Sequence, residues 1–270
     1  MSKNNDTLGS RMKTFYEAIP KTRLMRRTPV AIRIDGKAFH TLTQGLKRPF
    51  DEVFQKSMRE TMLYLCKNIQ GCVLGYTQSD EITLILVDYK HLNSEAWFDY
   101  EVQKMCSISA SMATMAFNKV FKNNVDRAIL EYKCSQGIEE QEKAEKYHNS
   151  LLKAVSNGAM FDSRCFNIPK EEVANLLYWR QLDAEKNSTQ MIGRAYFSHK
   201  QLEGKHCEEI AEMLEKEKGI KLDHFLIHQR RGCCALRGEL VREWYVDLNI
   251  PKFVGADREY IEKFLLPEEE

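Results

Sequence analysis

No stretch of this chain approaches the roughly 20 consecutive apolar residues that a membrane-spanning helix needs, so no membrane partner is expected. The opening residues, MSKNNDTLGS, are polar and lack the hydrophobic centre of a signal peptide, which makes the cytoplasm the expected compartment. There is no C-x-x-C pair; the eight cysteines are scattered singly apart from the adjacent Cys233 and Cys234. Several, such as Cys66 and Cys106, fall among apolar residues at helical spacing, where reduced thiols pack as small hydrophobes. His206 and Cys207 have no partner pair at zinc-finger spacing. Net charge is nearly absent as well, at +1. The charge is uneven, however: residues 21–33 carry Lys21, Arg23, Arg26, Arg27 and Arg33 with no acid, and Arg230 and Arg231 form a second basic spot. Each cluster reads as a solvated face or as a phosphate contact. Internal repeats and low-complexity linkers are also missing.

What remains is an ordinary globular composition, 43% hydrophobic and 29% charged over 270 residues, enough for one large domain or two modest ones. The pattern predicts a short helix over 7–18 and a strand over 29–35, with Val30, Ile32 and Ile34 at alternate positions. Asp51 is a good N-cap for a helix running to Gly71. Two short strand-like runs, 72–78 and 82–87, flank the polar Q-S-D-E and read as a hairpin. A long helix is expected over 95–121, capped by Ser94. Residues 125–153 contain the highly charged IEEQEKAEKYH, an exposed helix or insertion without assigned chemistry. A strand around 159–167, a long helix after Pro169, a helix over 205–218 and a hairpin over 231–248 complete the chain. The order strand, helix, strand, strand, helix is most of a ferredoxin-like split βαβ arrangement.

The strand 29–35 ends on Asp35 and is followed at once by Gly36. In a split βαβ sheet this end lies near the Ser79-Asp80-Glu81 hairpin, so Asp35 and Asp80 can converge. Hard cations such as Mg²⁺ take a few carboxylate oxygens together with water and substrate phosphates. A glycine beside them lets the backbone carbonyl approach closely. Two ions on shared carboxylates suit in-line nucleotidyl transfer. A plain surface turn is the alternative.

At these residues the sequence resembles the tRNA-histidine guanylyltransferase family, and more closely its bacterial-type guanylyltransferase-like 3′–5′ RNA polymerases. The resemblance rests on RIDGKAFH (33–40), RPFD (48–51), GYTQSDEIT (75–83), SISAS (107–111), FDSR (161–164), YWRQLD (178–183) and VDLNIP (246–251). It implies a polymerase-like palm holding two Mg²⁺ per site, with ATP and GTP or other nucleoside triphosphates as substrates and tRNA as partner. It implies that Asp35 and Asp80 ligate both metals with the Gly36 carbonyl, and that Glu81 belongs to the catalytic set. It also implies nucleotide contacts from Gly36, Lys37, Ala38, Phe39, His40, Ser79 and Lys104. Arg27, Arg164 and Arg180 are candidate RNA contacts, with Arg164 and Arg180 reading equally as structural ion pairs. A homotetramer built as a dimer of dimers is implied too. Three departures stand out. FDYEVQK (98–104) keeps only Lys104 of an expected basic cluster, Arg48 stands where a lysine is expected, and EKNSTQM (185–191) replaces the segment that eukaryotic members carry after WRQLD.

The expected fold is α+β: a palm of antiparallel sheet packed with helices over 1–135, and a mainly helical region with a terminal hairpin over 136–270, packed on the palm. The expected reaction is template-dependent nucleotide addition to the 5′ end of truncated tRNA. The alternatives are a guanylyltransferase restricted to histidine tRNA, a palm-type nucleotidyl cyclase, and a non-catalytic RNA-binding protein.

Overall fold

The computed structural model describes residues 7–134, 141–238 and 243–267. Six antiparallel strands form one sheet in the order β4-β1-β3-β2-β5-β6: β1 (Val30–Gly36), β2 (Cys72–Gln78), β3 (Glu81–Leu86), β4 (Phe161–Asn167), β5 (Cys233–Arg237) and β6 (Trp244–Asp247). The first four strands, with the helices between them, have the ferredoxin-like order expected from the sequence, and the last hairpin extends that sheet at the β2 edge. The sheet therefore takes strands from both sides of the expected boundary at 135/136.

Before β1 lies α1 (Thr7–Met12), which continues as a π-helical turn over Lys13–Glu17; none of these residues is buried. A single turn, α2 (Phe39–Leu42), follows β1. Then come α3 (Glu52–Asn68), α4 (Val102–Cys134), α5 (Gln141–Asn157) and α6 (Val173–Tyr196). Short helices α7 (His199–Leu202), α8 (Cys207–Lys218), α9 (Ile227–Arg231) and α10 (Glu259–Glu262) pack against α6. The Asp51 carboxylate caps α3 by accepting from the Phe54 amide at 2.9 Å.

Alternation along β1 divides the molecule into layers. Val30, Ile32 and Ile34 join a core with α3 and α4, including Met58, Met62, Phe117 and Phe121. Ala31, with Ile85 and Val87 of the neighbouring strand and its end, joins a second core with Leu177 of α6, Phe253 and Ile261. Burial on both faces explains why ITLILV carries no charge and only one polar residue, Thr83.

Two segments differ from expectation. The helix expected from residue 95 begins only at Val102. Ser94 instead accepts from the His91 amide within a turn. Phe98, Asp99 and Tyr100 take the left-handed conformation, with φ near 50° at each, a costly choice for side-chain-bearing residues. Buried Trp97 and Tyr100 and the ion pairs of Asp99 with Arg23 and Arg26 hold them there. The charged segment 125–153 is not simply an exposed insertion. Leu151 and Ala154 of α5 are in the core, and the Tyr147 hydroxyl donates to Asp51 at 2.8 Å. Residues 135–140 of that stretch lie outside the described residues.

Candidate active site

The tip of the β2–β3 hairpin meets the end of β1. Asp35 lies opposite Glu81 in the β1–β3 register, and the Gly36 amide donates to the Asp80 carbonyl at 3.1 Å. The Thr77 hydroxyl donates to the Glu81 carbonyl at 2.8 Å and clips the turn, while Ser79 adopts φ 53° at its corner. The local strand pattern and the tight turn therefore place Asp35 and Asp80 together. Burial pushes the Asp80 carboxyl above its ordinary range. The Asp80 amide and the Ser79 hydroxyl pull it back by hydrogen bonding, and the charges of Asp35 and Glu81 push it up again. No ion pair among the described residues engages Asp35 or Asp80.

Gly36 has a packing reason to be glycine. A Cβ there would lie 2.3 Å from the Phe39 ring, and its φ is not positive. Phe39 in turn packs on Phe54, Phe117 and Phe161, with ring centroids 5.9, 5.5 and 5.1 Å away. Ala38 at φ 55° turns the chain into α2 above this aromatic cluster. A cavity of about 630 Å³ opens beside it. Gly36, Ala38, Phe39, His40, Ser79 and Asp80 form one wall, the loop around Arg48 another, and Asn187, Gln190, Met191 and Arg194 of α6 the third. Spacing of three and four puts these α6 residues on one helix face. Arg48 and Arg194 are exposed and enter no ion pair among the described residues. They offer an anion two cationic residues in a cavity that Asp80 also lines and Asp35 does not.

The structure does not bring every expected site residue here. Glu81 is buried and doubly held: Arg180 grips it through Nε and Nη2 at 2.6 and 2.7 Å, and Arg33 adds a contact at 2.9 Å. Arg180, read as an RNA contact or a structural ion pair, is the latter: it is only 6% exposed, its guanidinium neutralises that carboxylate and it also donates to Asp183. Lys104 does not line the cavity. Cys106 and Ser109 of α4 touch Cys165 and Ser163 while Thr114 reaches Phe161, so α4 starts at the far end of β4 from Asp35. There the Lys104 ammonium sits 5.9 Å from the exposed Phe98 ring. Arg27 is also remote, its amide bound to Asp88. Lys37 is exposed, with its amide on the Met160 carbonyl, and does not line the cavity. Arg164 is exposed and paired with Asp162 at 2.9 Å.

The two unpaired carboxylates suit a hard divalent cation. Among the described residues no third His, Cys, Asp or Glu completes a cluster.

A palm-type sheet with paired acids at this hairpin is shared by several nucleotide enzymes; the family model decides between them. The model of the Thg1 family, tRNAHis guanylyltransferase, matches residues 9–169. The chain belongs to that family. It is a nucleotidyltransferase of the tRNA guanylyltransferase-like kind. Among solved structures it is similar to a bacterial tRNA(His) guanylyltransferase (Thg1)-like protein in complex with ATP. The two are 36% identical over 96% of this chain and 99% of that one, with a TM-score of 0.79. Similarity to such a protein in complex with GTP gives 34% identity over 96% and 99% of the two chains, with a TM-score of 0.74. The tRNA(His) guanylyltransferase of Schizosaccharomyces pombe is 24% identical over 236 residues, 83% of this chain and 78% of its own length.

Sequence reasoning missed Arg48 as a charged wall of the cavity, and Arg194, Gln190 and Asn187 as its α6 wall. The helical spacing 187, 190, 194 was present, but nothing local says which helix face covers the sheet.

Proposed function

We propose that the protein adds nucleotides in the 3′–5′ direction to the 5′ end of truncated tRNAs, choosing each nucleotide by the opposing template base. The carrying observation is the pair of carboxylates without ion-pair partners, Asp35 and Asp80, beside a 630 Å³ cavity edged by Arg48 and Arg194. In the first step the RNA 5′-phosphate attacks the α-phosphorus of ATP; pyrophosphate leaves and the 5′ end is adenylylated. In the second, the 3′-hydroxyl of the incoming nucleoside triphosphate attacks that activated phosphate and AMP leaves. Asp35, Asp80 and the Gly36 carbonyl would hold Mg²⁺, which when bound supplies charge neutralisation for the phosphates. The protein's own part is positioning. His40, Ser79, Arg48 and Arg194 bind and orient the triphosphate, and the Asn187–Met191 wall closes over it.

The repair reading is favoured over histidine-tRNA addition by EKNSTQM. Three of its residues, Asn187, Gln190 and Met191, line the cavity, so this segment bears on nucleotide choice. The exposed apolar side chains of the N-terminal segment, Leu8, Phe15, Tyr16 and Ile19, support assembly into the proposed tetramer. Among the described residues no helix is long and apolar enough to cross a membrane, and we place the enzyme in the cytoplasm.

The experiment is a panel of 5′-truncated tRNAs with the opposing base varied, together with full-length histidine tRNA, ATP, Mg²⁺ and labelled nucleotides. Template-matched extension of several tRNAs is expected. Extension of histidine tRNA alone, by G whatever base opposes it, overturns the repair reading.

A further inference from the structure

We infer that Trp179 is a stacking platform for the terminal base at the RNA 5′ end, held rigid by a ladder of Glu81, Arg180 and Arg33. The inference rests on the proposed reading that an RNA 5′ end is the acceptor.

The indole is half-exposed, at 50%, on α6. Guanidinium carbons of Arg180 and Arg33 lie 4.5 and 5.5 Å from its ring centroid. Both guanidiniums donate to the same oxygen, Glu81 Oε2, at 2.7 and 2.9 Å. On opposite faces of the indole they would be too far apart to share it. They therefore lie on one side of the ring, and neither guanidinium covers its other face. Beneath, the Arg180–Glu81 pair is 7% and 8% exposed at its side chains, so the support is fixed by the fold. A large aromatic left half-bare and backed by two cations is an arrangement that accepts another π face.

Its position fits the acceptor. Arg33 is two residues before Asp35 and on the same face of β1. The Arg33 guanidinium under the indole bonds Glu81, which lies opposite Asp35 in the β1–β3 register, so the indole stands over the sheet face that carries Asp35. Arg164, exposed and paired with Asp162, lies opposite Arg33 in the β1–β4 register, so the strand next to Arg33 adds another cation to this face, as in sequence-tolerant single-strand binding. From Trp179 the α6 face continues through Asp183 and Asn187 to Arg194. The same helix thus carries the base platform at one end and the cavity wall at the other.

The test compares Trp179→Leu, which keeps apolar bulk without a π face, with Trp179→Phe. Affinity is measured without turnover for a 5′-truncated tRNA, for histidine tRNA and for ATP, alongside thermal melting. Trp179→Leu is expected to weaken tRNA binding about 5- to 150-fold, with ATP affinity and melting near wild type. Trp179→Phe should restore binding to within about threefold, while losing the tRNA-induced change in tryptophan fluorescence. Unchanged tRNA affinity in Trp179→Leu overturns the inference, and so does a parallel loss of ATP binding and melting temperature, which would mark Trp179 as a structural prop. If wild type extends only histidine tRNA, the repair reading fails, and the platform is judged on that tRNA by the same pair of variants.

Discussion

Asp80 carries the sharpest single-residue consequences. Its carboxyl is raised chiefly by burial and further by Asp35. A folded-state value above the unfolded one means that the stabilising, protonated form is fully present below the unfolded value of about 4. That contribution is lost as pH rises through the raised value, so at neutral pH the ionised group costs stability. Asp80→Asn should therefore melt about 1–3 °C higher than wild type at pH 7 without divalent ions, with the gain vanishing at acid pH. It should also lose the melting-temperature increase that Mg²⁺ gives the wild type. A lower melting temperature at pH 7 would contradict the balance of burial and charge described here. Asp35→Ala and Asp80→Ala are each expected to cut transfer roughly a hundred- to a thousand-fold or more while circular dichroism stays native. Gly36 is decided by the Phe39 ring 2.3 Å from its missing Cβ. Gly36→Ala should lose stability as well as activity, and shrinking the neighbour in Gly36→Ala/Phe39→Leu should recover part of the stability in a denaturant titration.

At the scale of elements, α6 joins the sheet to the cavity. Its Arg180 crosses to the hairpin and neutralises Glu81, 99 residues away in sequence. Removing Arg180 takes away two of the three arginine hydrogen bonds to the buried Glu81 carboxylate and leaves Arg33 as its one remaining arginine partner; breaking such a buried pair costs up to about 3–5 kcal/mol. Arg180→Ala should accordingly lower the melting temperature by about 10 °C, whereas Arg180→Ala/Glu81→Gln should regain much of it. A double-mutant cycle with no coupling would dismiss the pair as a structural element. The same cycle separates Glu81 from the Asp35–Asp80 pair. If Glu81 acts by holding the hairpin, Glu81→Gln should lower stability and activity together, with no loss of the Mg²⁺-dependent melting shift.

At the scale of the molecule, the sheet interleaves the chain. β4, from residues beyond 160, pairs with β1, and β5, from residues beyond 232, pairs with β2. Neither half then has a complete sheet by itself, so a single calorimetric transition is expected for the full chain; two resolved transitions would mean that the regions 1–135 and 136–270 unfold independently.

The sequence by itself determined the local pieces. Alternation marked β1, the runs 72–78 and 82–87 marked a hairpin, and Asp51 marked the start of α3. Asp-Gly at a strand end and Ser-Asp-Glu at a hairpin tip were enough to bring Asp35 and Asp80 together, because a short antiparallel connection leaves few alternatives. The left-handed turn at Phe98–Tyr100 was not legible: its cost is met by Asp99 pairing with arginines more than 70 residues away. Only the tertiary structure decided the partners of Glu81 and Arg180, the separation of Lys104 from the cavity, and the α6 face that presents Trp179 and Arg194. Each depends on how a helix docks across the sheet, and docking is set by the summed packing of both cores. A charged side chain read in isolation shows whether it can bind phosphate; what it faces after docking decides whether it is free to.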